Sequence, residues 1–370
     1  MIFTFVISII ITWLAYYAES ESIVVKYNRL GRSRRFKIRN IDTAMFCTLL
    51  AIVVCFVGLR TSYNDTLTYT NAFDQLETVL EFTEIEDFRL ANNPGFKVSN
   101  YLIKRFISND AQVMVLLYAL VTLTFYFIFY RKWSQRLWIT VYLFIVAGML
   151  LFTMAALKQV LAMSIGLCAI TCFLTNKRGW FVFCVLLAST IHVYVLFYLL
   201  APLLSDRLWS RKVILIILGA VLSGVFVEFF VRLAYGVTGV FGAEYEKYNE
   251  VTSEGLNILR FFVYCCAPVL TWIYREKING SRKRAVILFA NFTLIGWCFM
   301  FIGLFVGANM LARMAMYFDP FMHLALTSLL VFYIPDWKRR YILPGCLLAY
   351  LLYFSFDLYN RGFVYHSIFN

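Results

Sequence analysis

The chain has 370 residues, of which 62% are hydrophobic and 15% charged, and its mean hydropathy is +0.74. A soluble domain of this length could not bury so much apolar surface. The formal net charge is +13, but the basic residues are spread over short loops, which argues against a nucleic-acid partner. The composition predicts an all-α polytopic membrane protein in a lipid bilayer, because helices satisfy their own backbone hydrogen bonds there.

Apolar segments recur along the whole chain, so 1–370 is expected to form a single transmembrane domain of about 11–12 helices, including short broken ones. The first segment has no basic residue before it and no evident cleavage site. We therefore expect a retained span with its N-terminus outside. The predicted spans are 2–18, 42–60, 111–130, 137–153, 155–174, 180–191, 193–204, 213–235, 257–274, 285–306, 314–334 and 341–356.

The charges of the loops predict how the chain is oriented. Loop 19–41 carries seven basic residues and is expected in the cytoplasm, whereas loop 61–110 is acidic and is expected outside. Within the second loop, a turn at 93–95 precedes residues 96–106, which alternate apolar and polar side chains at helical spacing. This pattern predicts an amphipathic helix at the membrane interface.

One continuous helix over 180–204 would place the basic residues of the next two inner loops outside. A break near His192 returns them to the cytoplasm and gives two half-length helices of about 18 Å each. The inner loops then hold 23 of the 34 Lys and Arg, and loop 236–256 and the C-terminus lie outside. A single span that violates the charge rule is the competing interpretation.

Arg60 ends the second predicted span and is followed by Asn64, Asp65 and Tyr69. One interpretation is an arginine that merely extends to the membrane surface. The cluster favours another, because carboxylate, amide and hydroxyl groups together suit the binding of sugar hydroxyls.

Lys158 and His192 are isolated polar residues within apolar segments. An ammonium at membrane depth costs roughly 2.5–3.5 kcal/mol on insertion scales, so Lys158 either reaches the surface or serves a site. His192 is either a hydrogen-bonded structural residue or, at the predicted break, a group that binds phosphate or a sugar hydroxyl or accepts a proton.

Arg313 and Tyr317 are four residues apart and share one face of a predicted helix. Asp319 follows, just before a proline that would loosen the helix. A carboxylate in an apolar span requires a partner or a wet cavity. His323, about one turn further along, is the candidate partner.

Several cations at a low-dielectric mouth bind a multivalent anion strongly, and the fork of arginine matches phosphate oxygens. The predicted ligand is therefore a lipid-linked phosphate or diphosphate. The sequence contains no ligand set that requires a metal ion, and no cofactor is predicted.

Short motifs in a fixed order carry a family resemblance. They are Gly58-Leu59-Arg60 with Asp65, Tyr69 and Phe73, then Asn93-Pro94-Gly95-Phe96, then Gln159 with Leu161-Ala162, then the His192 segment, then Arg313 with Tyr317-Phe318. Together, over residues 40–335 or so, they resemble the EpsG family, polytopic proteins of bacterial exopolysaccharide and O-antigen synthesis similar to Wzy polymerases and GT-C-type glycosyltransferases. Two positions depart from the family pattern, since Lys158 replaces an arginine and Asn93 replaces an acidic residue.

The resemblance implies a glycosyltransferase of the bacterial inner membrane, a polymerase of O-antigen (lipopolysaccharide), capsule or exopolysaccharide. It would transfer a glycan from undecaprenyl diphosphate to an acceptor glycan outside, with chain-length regulator and flippase proteins as partners. The expected catalytic residues are Arg60, Asp65, His192 and Arg313, and the expected substrate-binding residues are Asn64, Tyr69, Lys158, Gln159 and Tyr317. The alternatives are a flippase for lipid-linked oligosaccharide, a GT-C enzyme using a polyprenyl-monophosphate sugar, and an integral-membrane acyltransferase.

Overall fold

A computed structural model describes residues 2–27, 33–76, 90–225, 258–304 and 308–369. Helices make up most of this part of the chain, and each of its two sheets is a pair of antiparallel strands. The predicted all-α class is confirmed. The predicted outer loop 236–256 lies outside the described residues.

The described helices are α1 (Ile2–Ala18), α2 (Thr43–Gly58), α3 (Thr66–Asp74), α4 (Pro94–Phe106), α5 (Ala111–Trp133), α6 (Leu137–Val146), α7 (Met149–Ala155), α8 (Leu157–Leu174), α9 (Arg178–Ser189), α10 (Ala201–Leu204), α11 (Arg211–Val225), α12 (Ile258–Ile273), α13 (Arg275–Ser281), α14 (Arg284–Ile302), α15 (Ala308–Met316), α16 (Asp319–Ser328) and α17 (Asp336–Asn360). A 3₁₀ helix, Val193–Leu200, leads into α10, and a π-helix, Leu329–Tyr333, follows α16. The strands are β1 (Glu19–Tyr27), β2 (Ser33–Ile41), β3 (Arg60–Ser62) and β4 (His366–Ser367).

In the described part of the chain, α5, α8, α14 and α17 are long and apolar enough to cross a membrane. The bent pairs α6–α7 and α12–α13 raise the number to six if each pair is one span. The predicted helix at 137–153 is thus divided by a bend of 56°. Gly148 lies at this bend with φ +89, a backbone conformation in which a side chain would be strained.

Two apolar clusters hold the bundle together. The larger one runs through most of the helices, and α14 is its central member because 83% of its apolar window is buried. The smaller one joins α3, α4, α5 and α8 through buried side chains such as Phe73, Phe96 and Tyr118, and it includes Ile191. The smaller cluster therefore fastens the short helices after α2 to the segment that contains His192.

The loops rich in basic residues meet at one end of the bundle. Arg284 donates to the Asn176 side chain over 3.2 Å, which joins the start of α14 to the loop before α9. The Leu208 amide donates to the Asn279 side chain over 2.8 Å, which joins the loop after α10 to α13. The segment α9–α10 therefore begins and ends at this basic end.

The turn between these two halves lies at the other end. Helix α9 ends at Ser189, His192 has an extended backbone, and a new helix starts at Val193. The break predicted near His192 is confirmed, and the competing continuous helix over 180–204 is wrong. At this same end the Ile368 amide donates to the Leu59 carbonyl over 3.1 Å, which attaches the C-terminal segment.

Helix α4 packs tightly on the His192 turn. The amide of Gly95 donates to the carbonyl of Thr190 over 2.8 Å. A Cβ atom on Gly95 would lie 2.1 Å from the Thr190 hydroxyl oxygen and 3.1 Å from its backbone carbon. An added methyl group would therefore displace the Thr190 side chain, so glycine fits this contact best.

The first prediction concerns the two ends of the bundle. In a background without the nine native cysteines, the exposed positions Lys177→Cys and Arg207→Cys should react with a membrane-impermeant maleimide from the same side. Asn64→Cys should react from the opposite side and serves as the comparison. We expect Asn64→Cys to label in intact cells and the other two only after permeabilisation. Labelling of Lys177→Cys and Arg207→Cys from different sides would contradict the half-helix pair.

The second prediction concerns the packing of α4. Gly95→Ala should lower the free energy of unfolding by about 1–3 kcal/mol, because its methyl group overpacks the contact with Thr190. Gly345→Ala is the matched control, since a Cβ there meets nothing within 4 Å and alanine favours a helix. Thermal unfolding of the purified proteins in detergent measures both. Equal stability of the two variants would show that α4 does not depend on this contact.

Candidate functional site

Asp65 and Arg313 form an ion pair across the fold at the end opposite the basic loops. Asp65 precedes α3, and Arg313 lies in the last turn of α15. The Arg313 Nη2 atom is 3.6 Å from the Asp65 Oδ2 atom, and each side chain is about one-third exposed. The pair is therefore loose and open, so both groups can still accept another partner.

Gln159 fixes the backbone beside this pair. Its amide nitrogen donates to the carbonyl of Arg313 over 2.7 Å, and only 2% of Gln159 is exposed. Lys158, the preceding residue, lies in the first turn of α8 and is partly buried. The contact of Gln159 thus brings Lys158 and Arg313 to neighbouring positions. The Gln159 side-chain amide holds the Arg313 backbone in place.

His192 is held by Tyr317. The Nδ1 atom of His192 is 2.7 Å from the hydroxyl oxygen of Tyr317, which is fully buried. The hydroxyl of Tyr198 in turn donates to the carbonyl of Tyr317 over 2.7 Å. These bonds fix one ring nitrogen of His192 and leave Nε2 as the atom that can meet a ligand.

The surroundings of His192 keep its ring neutral. Burial is the main reason that its pKa lies well below the ordinary value, and the positive charges of Lys158 and Arg313 lower it further. A neutral imidazole can take up a proton, which an imidazolium cannot. The two cations near it also favour an anion at the same place.

Arg60 has a different setting from Arg313. Its side chain is 1% exposed, its Nε atom donates to the Thr66 hydroxyl over 3.1 Å, and Nη1 donates to the carbonyl of Val57. Burial lowers the pKa of Arg60 to about 10. Because this value is still well above neutral pH, the guanidinium remains charged. Within the described chain its Nη2 atom has no hydrogen-bond partner. Arg60 also lines a cavity of about 10 Å³, about the space of one water molecule. The guanidinium therefore joins the first residue of α3 to the last turn of α2.

Asn64 directly precedes Asp65, and Tyr69 lies in α3. Asn64 is exposed and has a left-handed backbone with φ 45, which asparagine tolerates. Tyr69 is partly buried, and its ring meets that of Phe96 edge-on with centroids 5.9 Å apart. Both lie on the α3 side of the Asp65–Arg313 pair.

Asp319 and His323 are not partners, so the expected pairing is wrong. Asp319 accepts a hydrogen bond of 2.7 Å from the hydroxyl of Tyr264, whereas the Nδ1 atom of His323 lies 2.9 Å from the hydroxyl of Tyr130. Tyr264 of α12 bonds to Asp319 and Tyr130 of α5 bonds to His323, because α12 and α5 both pack against α16.

Three residues that shape the candidate site were not predicted from the sequence: Thr66, Tyr198 and Thr190. Each acts by a hydrogen bond to a residue distant in the chain or to a helix end. Serine, threonine and tyrosine in apolar helices are common, and no local pattern singles these out.

Chemically, the arrangement combines cations that can attract an anion with groups that can accept a proton. Lys158 and Arg313 supply positive charge near the N-terminus of α8, whose backbone dipole adds to it. Asp65 and the neutral His192 are the nearby groups that can take a proton from a hydroxyl. In the part of the chain that the structure describes, no group of three or more His, Cys, Asp or Glu could hold a metal ion.

Comparison with known protein families identifies a match. The sequence model of the EpsG family matches residues 43–370, from the start of α2 to the C-terminus, and so includes every site residue described above. No curated protein and no solved structure is detectably similar to the chain. Since the match covers nearly the whole sequence, the chain belongs to the EpsG family.

Proposed function

We propose that this protein is a membrane glycosyltransferase that polymerises a surface polysaccharide, such as O-antigen, capsule or exopolysaccharide. Its donor is a glycan on undecaprenyl diphosphate, and its acceptor is a second glycan. The EpsG family suggests a polysaccharide polymerase-like membrane protein. The observation that carries the proposal is the meeting of Asp65, Lys158, His192 and Arg313, from four separate segments, at one end of the bundle.

The diphosphate is the leaving group of this reaction. As the bond between the anomeric carbon and the diphosphate oxygen breaks, negative charge grows on that oxygen. Arg313 and Lys158 stabilise this charge in a partly buried site, where water screens it less than in solution. Arg313 can exchange its loose contact with Asp65 for the phosphate oxygens, because the 3.6 Å pair is partly open to solvent.

The acceptor supplies a hydroxyl group that forms the new bond to the anomeric carbon. Its proton passes to the Nε2 atom of His192 or to the carboxylate of Asp65. Binding of the diphosphate offsets the positive charges that lower the pKa of His192, and so makes its ring a better base. Asn64, Tyr69 and Tyr317 lie near these groups and are proposed to contact sugar or phosphate.

The charge distribution supports an external site. The basic loops meet at the end of the bundle opposite Asp65 and His192, and basic loops stay in the cytoplasm. The protein would therefore work on the outer face of a bacterial inner membrane, with both termini outside. Flippase and chain-length regulator proteins would deliver the donor and limit the product.

A flippase would need polar groups along a path through the bilayer. Here the proposed site groups lie at one end, and the buried polar residues Asp319 and His323 are already bonded to tyrosines of neighbouring helices. In a deletion strain, a polymerase defect should leave single repeat units on the outer side, whereas a flippase defect should leave them on the inner side. This readout separates the two functions directly.

The third prediction concerns the diphosphate site. Arg313→Gln and Lys158→Gln should each lower polymerisation by about 10²–10³-fold, because each removes a group that stabilises the leaving oxygen. Lys158→Arg should keep most of the activity, since it retains the charge and is the residue usual in the family. Lys338→Gln, on the exposed basic end, is the control. The measurement is release of undecaprenyl diphosphate by purified protein supplied with lipid-linked donor. Normal rates from Arg313→Gln and Lys158→Gln would exclude this assignment.

The fourth prediction separates Arg60 from Arg313. Arg60→Gln should lower the free energy of unfolding by about 2–3 kcal/mol, because its buried charge-assisted hydrogen bonds support α3. Arg313→Gln should leave stability within about 0.5 kcal/mol, as expected for a partly exposed group. Thermal unfolding measured beside activity tests this. An Arg60→Gln protein that is stable but inactive would instead place Arg60 in contact with the substrate.

A further inference from the structure

A large cavity lies at the basic end of the bundle, away from the proposed catalytic groups. A cavity of about 730 Å³ opens between the connection from α5 to α6 and the connection from the π-helix to α17. Its volume is in the range of pockets that hold a small organic ligand. Three cationic side chains line it: Lys132, Arg136 and Arg339.

The cavity keeps a net positive charge. Among the described residues that line it, none is acidic. Two carboxylates approach its arginines from outside: Glu19 lies 3.6 Å from Arg136, and Asp336 bonds to Arg339. Lys132 is exposed and lies 5.4 Å from the centre of the neighbouring Trp133 ring. Three cations thus meet two carboxylates, which favours an anionic ligand.

The rest of the wall combines the polar side chains of Ser134 and Gln135 with apolar ones. Ile139, Val331 and Leu343 line the cavity beside the cations, and Phe332 is 54% exposed at its edge. A free phosphate compound would gain nothing from these side chains, whereas a lipid would use them for its acyl chains. The mixture of cations and apolar wall therefore fits an amphiphile with an acidic headgroup.

Exposed aromatic side chains lie beside the cavity at the end of α1. Trp13, Tyr16 and Tyr17 at the end of α1 are each more than half exposed, and the ring of Tyr16 lies 6.0 Å from that of Trp138, which lines the cavity. Tryptophan and tyrosine gather where lipid headgroups lie. The cavity is therefore at the depth of the headgroups.

The π-helix is the element that shapes the site. It carries Val331 and Phe332 to the wall, and the guanidinium of Arg339 donates to the carbonyl of Val331. Single π-turns are rare and occur mostly at functional sites. Here the turn allows Arg339 to lie against the cavity wall.

We propose that this cavity binds an anionic phospholipid. Its phosphate lies against Lys132, Arg136 and Arg339, and its acyl chains follow Val331 and Leu343. The site is at the opposite end of the bundle from His192 and does not depend on the proposed glycosyl transfer.

The fifth prediction tests this site with the full-length protein. Native mass spectrometry in detergent should show more adducts with phosphatidylglycerol than with phosphatidylcholine. Lys132→Gln and Arg339→Gln should each weaken phosphatidylglycerol binding about 5-fold, the effect of one cation near an anionic lipid. Arg340→Gln removes an exposed charge next to Arg339 that does not line the cavity, and it should bind as the unchanged protein does. Lys132→Gln serves as the test if Arg339→Gln does not fold.

Each other outcome overturns the proposal. Equal binding of both lipids would remove the charge argument, and an unchanged affinity in Lys132→Gln would remove the cavity. A third arm uses glycerol 3-phosphate, which has the phosphate without acyl chains. If it displaces phosphatidylglycerol at equal concentration, the ligand is a soluble phosphate compound and not a lipid.

Discussion

Helix breaks leave backbone carbonyls without their partners within the helix, and the need to satisfy these carbonyls organises the site. Three such carbonyls receive a donor from another segment: Thr190 from the Gly95 amide, Arg313 from the Gln159 side chain, and Tyr317 from the Tyr198 hydroxyl. Each donor ties one broken helix to a neighbour. The bonds that satisfy the breaks therefore also place His192, Lys158 and Arg313 near one another.

The two arginines at this end differ in burial, and we propose that they differ in role for this reason. Arg60 is 1% exposed and bonded to a carbonyl and a hydroxyl, so its charge stabilises the turn before α3. Arg313 is one-third exposed, and its ion pair with Asp65 is long. A long, partly solvated pair costs little to break, which is what a group that must bind an anion requires.

The bundle has two chemically different ends. At one, a few polar residues sit among buried aromatics such as Tyr317 and Tyr198, and a neutral histidine adjoins two cations. At the other, many basic residues lie in short loops around an open cavity. The first arrangement suits a specific reaction with one anion, and the second suits attachment to an anionic lipid surface.

Sequence alone determined the helical class, most helix positions and the break at His192, because hydrophobic length and the distribution of lysine and arginine are properties of local segments. It also selected Arg313 and Lys158, since isolated charges in apolar segments are conspicuous. Only the tertiary structure decided that Asp65 pairs with Arg313 and that Arg60 is buried next to α3. It also decided that Asp319 bonds to Tyr264 and not to His323. These contacts join segments far apart in the chain, and which polar groups meet depends on how the helices pack, which no local pattern specifies.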